Sequence, residues 1–159
     1  MGLARPDAPF DLASAESPIY SHARFLPPTR FDDAVVRGSL VADGSVIEPG
    51  AVIENSVIGL RCSIGRNVVI RNSVVMGADF YETPDAVAAH RSNGTPPLGI
   101  GEGSHIEGAI IDKNCRIGRN VRVVNEQGLE NTDETPFGMI RDGIVVTGKN
   151  TALPNGWRM

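Results

Sequence analysis

The sequence predicts an all-β fold, a parallel β-helix of hexapeptide repeats with an extended strap in front of it and two loop excursions. Three observations predict it: an aliphatic residue recurs every six positions, Gly or Asn recurs at a fixed place after it, and the composition suits short strands joined by tight turns. That composition includes Gly 18, Pro 11 and aromatics at only 5%, with Val and Ile dominating the apolar set. The units open at Val35, Val41, Ile47, Ile53, Ile58, Ile64 and Ile70, resume at Ile100, Ile106, Ile111 and Ile117, and continue in a looser block at Ile140, Val146 and Ala152. The units at Ile53 and Ile106 are one residue short.

Each place in the unit has a physical role. The fourth is Gly at 38, 44, 50, 103 and 143 and Asn at 67, 114, 120 and 155, the residues that accept positive φ at little cost. The fifth is small or compact at Ser39, Ser45, Ala51, Cys62, Ser104 and Cys115 and apolar at Val57, Val68, Val74 and Val121. A short strand that points its first residue inward, a corner at positive φ and a small residue inside that corner account for all three places. Three units, about 18 residues, close one triangular coil, and coils stack at about 4.8 Å. A β-sandwich would space its strands by about 8 to 12 residues with period-two alternation, and a coiled coil would show heptads. Neither matches.

The remaining elements follow in order. Residues 1–31 carry Pro at 6, 9, 18, 27 and 28 and no hexad grid, so they read as an extended strap or linker. Residues 32–159 form the β-helix domain. It is interrupted at 76–99, where Asp85 to His90 is the expected helical turn, and at 125–139, a polar and acidic excursion. A linker leading into a solenoid implies a neighbouring domain upstream. The open ends of the coil, with unpaired strand edges, imply a homo- or hetero-oligomer.

Length and charge exclude several classes. A chain of 159 residues and 16.9 kDa makes one domain with a core and hardly two. With 15 basic and 19 acidic side chains and a net charge of -4, the counterion-release drive for nucleic-acid binding is lacking. No apolar run approaches the roughly 18 residues that cross a bilayer, so no membrane partner is expected. Residues 1–16 have neither a charged start nor an apolar stretch of leader length, which makes the cytoplasm the expected compartment and keeps Cys62 and Cys115 reduced.

Several strings carry a more specific message. They are Ser17-Pro-Ile-Tyr-Ser-His-Ala-Arg-Phe-Leu-Pro-Pro28, Met76-Gly-Ala-Asp-Phe-Tyr-Glu-Thr83, Gly99-Ile-Gly101, Ala109-Ile-Ile-Asp-Lys-Asn114 and Asp142 to Val145. From about Ser17 to Pro154 the chain resembles the C-terminal third of glucose-1-phosphate adenylyltransferase (ADP-glucose pyrophosphorylase) of the cyanobacterial and plant type. The resemblance implies a left-handed coil. It also implies the regulatory and oligomerisation portion of an enzyme that joins ATP and glucose 1-phosphate into ADP-glucose and pyrophosphate in glycogen or starch biosynthesis. In that family Mg2+ and ATP belong to a separate nucleotidyltransferase domain, which is the implied partner. No glycine-rich phosphate cradle between a strand and a helix occurs in this chain, and Gly101-Glu-Gly103 lies inside the hexad grid. No catalytic residue, metal ligand or cofactor is therefore assigned to it.

The resemblance implies that Lys113 and Lys149 bind an anionic sugar-phosphate activator, 3-phosphoglycerate in photosynthetic members, and that Arg24 of the strap lies near the same pocket. Lys113 and Lys149 are the only lysines among the 15 basic residues, and a compact, rotatable ammonium suits phosphate or carboxylate capture. The sequence departs from the family pattern at Ala13 and Ser14, and has Glu102 and Glu107 where basic residues are common.

Rival functions rest on single residues. A hexapeptide acyltransferase would use His105 as general base, but His105 holds the sixth place of its unit, expected to face solvent. A zinc hydratase would need His22, His90 and His105 to converge from strap, loop and coil. Cys62 and Cys115 occupy inward places and read as core. Asp79 and Glu82 read as solvated or capping residues of the first excursion rather than as an acid pair.

Overall fold

The computed structural model describes residues 14–20 and 22–159. The first part of the expected strap, 1–13, and Ser21 lie outside the described residues. Three stacks of very short strands form the three faces of a prism. The first face stacks Arg30–Phe31, Val46–Ile47, Ser63–Ile64, Gly99–Ile100, Arg116–Ile117 and Ala152–Leu153, all parallel. The second stacks Val35–Arg37, Val52–Glu54, Val69–Arg71, His105–Glu107 and Arg122–Val124, also parallel. The third stacks Leu40–Val41, Val57–Leu60, Val74–Gly77, Ala109–Ile111 and Ile144–Thr147 in parallel, with Met139–Arg141 antiparallel at its edge.

The aliphatic grid fills the prism. Ile47, Ile64 and Ile117 are at most 1% exposed and stack in one interior column with Ile100 and Leu153. Ile53, Ile70 and Ile106 form a second column, and Ile58, Val75 and Ile111 a third. Burying such side chains supplies the main drive for folding, about 25 cal/mol for each Å² of apolar surface removed from water.

The pitch differs from expectation. From Val35 onward, partners in consecutive coils are 17 residues apart, not 18, because a short unit falls between the second and third faces; Phe31 and Ile47 on the first face are 16 apart. The inward residue of the first unit is Val36, which stacks on Ile53. Val35 is 40% exposed. In these short units the corner interior is filled by Ser56, Ser73 and Ala109, buried to 2% exposure or less, whereas Val57 and Val74 stand half-buried on the outer surface. The serines form a ladder: the amide of Ser56 donates to Ser39 Oγ, that of Ser73 to Ser56 Oγ and that of Ala109 to Ser73 Oγ. Each hydroxyl donates in turn to a carbonyl two residues back. Corner amides that no strand partner could satisfy are thereby paired.

The last block also departs from the grid. Ile140 is buried, but on the antiparallel strand rather than on a coil. Val146 is half-buried and faces outward while Val145 and Thr147 point in, and Ala152 is exposed while Leu153 is buried. The second excursion returns as a hairpin that covers this end of the core, joined by Trp157, whose ring lies 5.8 Å from that of Phe137. At the opposite end Ala34, Val36 and Val41 are only half-covered.

The first excursion leaves at Gly77 (φ 86) and returns at Gly99 (φ 110). A Cβ at either would lie within 2.4 Å of a carbonyl oxygen of the coil below, that of Leu60 or Ser63, so neither place admits a side chain. Between them the helix Pro84–Ser92, longer than expected, is capped by Thr83 Oγ1 accepting from the Ala86 amide. It carries Asp85 in its first turn and His90 and Arg91 in its last.

A candidate anion site at the third corner

The corner that follows the third face positions both lysines. Asn114 (φ 60) and Asn150 (φ 64) turn the chain there, and the amide of Asn150 donates to the Lys113 carbonyl at 2.9 Å. Lys113 and Lys149, each immediately before a turning asparagine, therefore sit on neighbouring rungs and leave the prism side by side. The amide of Asn114 donates to the Gly77 carbonyl, which puts the root of the first excursion on the same stack.

Asp79 at that root receives both ammonium groups. Its Oδ1 is 2.9 Å from Lys113 Nζ and its Oδ2 is 3.0 Å from Lys149 Nζ. Asn114 accepts from the Asp79 amide at 2.9 Å and donates Nδ2 to Asp79 Oδ2 and to Asn150 Oδ1, both at 3.2 Å. The three charged side chains are 40 to 51% exposed. Lys113, then Lys149 and the Asn114 amide, hold the Asp79 carboxyl well below the usual carboxylate range. One net positive charge remains on the trio.

Beside it opens a cleft of about 330 Å3 lined by His22, Arg24, Arg61, Asp79 and Lys113 among others. Arg24 enters from the strap, with its guanidinium donating to the His22 carbonyl at 3.3 Å. Among the described residues it pairs with no carboxylate. Arg61 enters from the coil, donates to the Ala78 carbonyl at 3.3 Å and lies 5.7 Å from the Tyr81 ring centre. The Tyr81 hydroxyl donates to the Gly44 carbonyl at 2.9 Å, and the Gly44 amide donates to the Pro27 carbonyl. Excursion, coil and strap are thus clasped together. The arrangement offers several donors and excess positive charge to one anion. It does not fit Mg2+, because the lining carboxylate, Asp79, is already held by two ammonium groups.

Sequence reasoning missed Arg61, yet a signal existed. Arg61 occupies the fourth place of its unit, where Gly or Asn is the rule, and adopts φ 56, an uncommon state for a long side chain. The reading of Asp79 and Glu82 as solvated or capping residues is corrected. Asp79 bridges the lysines, and Glu82 is buried, its side chain 6% exposed. Glu82 takes the Leu98 amide at 2.7 Å and lies 2.6 Å from Arg116 and 3.2 Å from His90. Burial raises the Glu82 carboxyl, but the Leu98 amide and Arg116 outweigh it and leave it below its ordinary value.

His105 is not simply solvated. On the outer side of the second face its Nε2 is 3.0 Å from Glu107, and Nδ1 lies 3.2 Å from an Arg122 nitrogen. Neither ring nitrogen is left open toward an acceptor substrate, as a general base requires. His22, His90 and His105 lie on the strap, the helix and the second face. Among the described residues no three His, Cys, Asp or Glu side chains converge on a metal position. Cys62 and Cys115 are free and buried. Among the described residues no helix is long and apolar enough to cross a membrane.

The family model described as the GLGC left-handed parallel β-helix domain matches residues 24–157, a span that includes the prism, both excursions, Arg24, Arg61, Lys113 and Lys149. The parallel β-helix that the match names is the architecture found here, and the match supplies the left hand of the coil. The chain belongs to the GLGC left-handed parallel β-helix domain family.

Proposed function

We propose that this chain is the regulatory and assembly portion of an ADP-glucose pyrophosphorylase, working with a nucleotidyltransferase domain or subunit that performs the chemistry, in the synthesis of glycogen or starch. The cleft at the third corner takes the phosphate of a small anionic effector such as 3-phosphoglycerate, with Lys113, Lys149, Arg24 and Arg61 as donors. One observation carries the reading: the only two lysines of the chain, far apart in sequence, meet at one carboxylate beside a cleft entered by two arginines. Because strap, coil and excursion all contribute, an anion bound there prefers one of their arrangements, and a domain attached to the strap feels that preference.

Calorimetry with 3-phosphoglycerate on the full chain tests this. Weak binding is expected, with Kd on the order of millimolar, since an adjoining domain is expected to supply further donors. Lys113→Gln with Lys149→Gln abolishes it. Binding unchanged in that double variant sinks the proposal. The expected self-association, favoured by the half-covered Ala34, Val36 and Val41 at one end, is read by sedimentation at micromolar concentration, and a clean monomer contradicts it.

A further inference from the structure

We infer that Asp79 is a built-in competitor for the anion site, its carboxylate occupying the place between Lys113 and Lys149 that an effector phosphate must take, so that binding releases the segment carrying it. This rests on the reading of the two lysines as an anion site. The geometry is that of a bound ligand: one carboxylate, one oxygen to each ammonium group at 2.9 and 3.0 Å, with Asn114 completing the cradle at 3.2 Å. A phosphate monoester presents the same bridging oxygens with more charge and a further acceptor. It can therefore displace Asp79, whereas a monocarboxylate exchanges like for like against a tethered rival and gains nothing.

Displacement has a defined route outward. Asp79 lies between Ala78, whose amide is anchored on the Leu60 carbonyl at 2.8 Å, and Tyr81, whose hydroxyl holds Gly44 and, through it, the strap at Pro27. Freeing the Asp79 carboxylate leaves the Ala78 and Asp79 amide anchors and the buried Glu82 in place and loosens Phe80 and Tyr81 between them, and with them the Tyr81 clasp. Occupancy of the anion site is thereby read as a change in how firmly the strap is held. A merely structural Asp79 predicts something different: its loss leaves anion affinity unchanged.

The test titrates inorganic phosphate into the parent chain, Asp79→Asn and Asp79→Asn with Lys113→Gln, by calorimetry at constant ionic strength. Since exposed ion pairs are individually weak, removing the internal rival should tighten phosphate binding by about threefold to tenfold, and adding Lys113→Gln should erase the gain. Acetate should not compete with phosphate in the parent chain, where the tethered Asp79 carboxylate already holds both ammonium groups. Equal phosphate affinity in the parent and Asp79→Asn, with binding still lost on Lys113→Gln, overturns the competitor and leaves the anion site standing. Phosphate binding indifferent to Lys113 overturns the site itself. Hydrogen exchange on the parent chain is a check independent of any variant. Saturating phosphate should speed exchange at the Gly44 amide, which donates to Pro27 under the Tyr81 clasp, and unchanged or slower exchange there contradicts the inference.

Discussion

Replacing Ser73 with Ala removes the last oxygen of the hydroxyl ladder, the one that receives the Ala109 amide. Ser73 is 1% exposed, its Oγ accepts from the Ala109 amide at 3.1 Å and donates to the Arg71 carbonyl at 2.6 Å. After the change the Arg71 carbonyl, on a corner, can turn to water, but the Ala109 amide is sealed between coils and has no other acceptor. A buried donor left unpaired costs about 1–3 kcal/mol. For a domain of this size each kcal/mol lowers Tm by about 2–4 °C, so a fall of about 2–12 °C is expected. Ser39→Ala is the control: it performs the same service for Ser56 at 3.0 Å, but at the half-open end, where water can substitute, and should cost under about 1 kcal/mol. Thermal and urea unfolding followed by circular dichroism measure both. A Ser73→Ala protein as stable as the parent, or equal losses for the two variants, would refute the idea that the ladder satisfies corner amides.

Other outcomes follow from the same structure. Ile64→Ala, at 0% exposure in the centre of the first interior column, should cost about 2–5 kcal/mol by urea unfolding, whereas Val69→Ala on the outer side of the second face should cost under about 1 kcal/mol. Asp79 titrates below its unfolded value near 3.9, so its stabilising contribution is present above that value and is lost as pH falls through the depressed one. The stability gap between the parent and Asp79→Asn should hold steady from about pH 7 to pH 5 and close below about pH 4. A gap that widens on acidification contradicts the assignment. Burial pushes the Cys62 thiol up to about 12 and raises that of Cys115, so a thiol reagent at pH 8 should label neither until the chain is unfolded. Rapid stoichiometric labelling of the native protein would show that these corners open.

Much of this fold was legible because its information is periodic. An isoleucine such as Ile47 or Ile117 announces its direction by what stands six places away, and Gly50 or Asn114 announces a corner by backbone tolerance alone. The register slips occurred where periodicity is silent. Val35 and Val36 are both valine, as are Val145 and Val146, so polarity gives no reason to choose which points inward, and the recurring short unit went unseen in the first coil. The antiparallel return of Met139–Arg141 depends on where the second excursion ends, which no local signal encodes. The site divides in the same way. Lys113 and Lys149 stood out by being the only lysines, and Arg61 by breaking the corner pattern. The carboxylates did not, because Asp79 and Glu82 acquire their partners from Lys113, Lys149 and Arg116, more than thirty residues later in the chain.

The presence of only two lysines makes the decisive measurement simple. With lysine selectively labelled with carbon-13 at its ε position, the chain should give two side-chain signals, one for Lys113 and one for Lys149. Titrating 3-phosphoglycerate should move both signals along one saturation curve with one midpoint, because a single anion bridges the two ammonium groups. Signals that stay fixed, or that move with separate midpoints, would contradict a shared anion site.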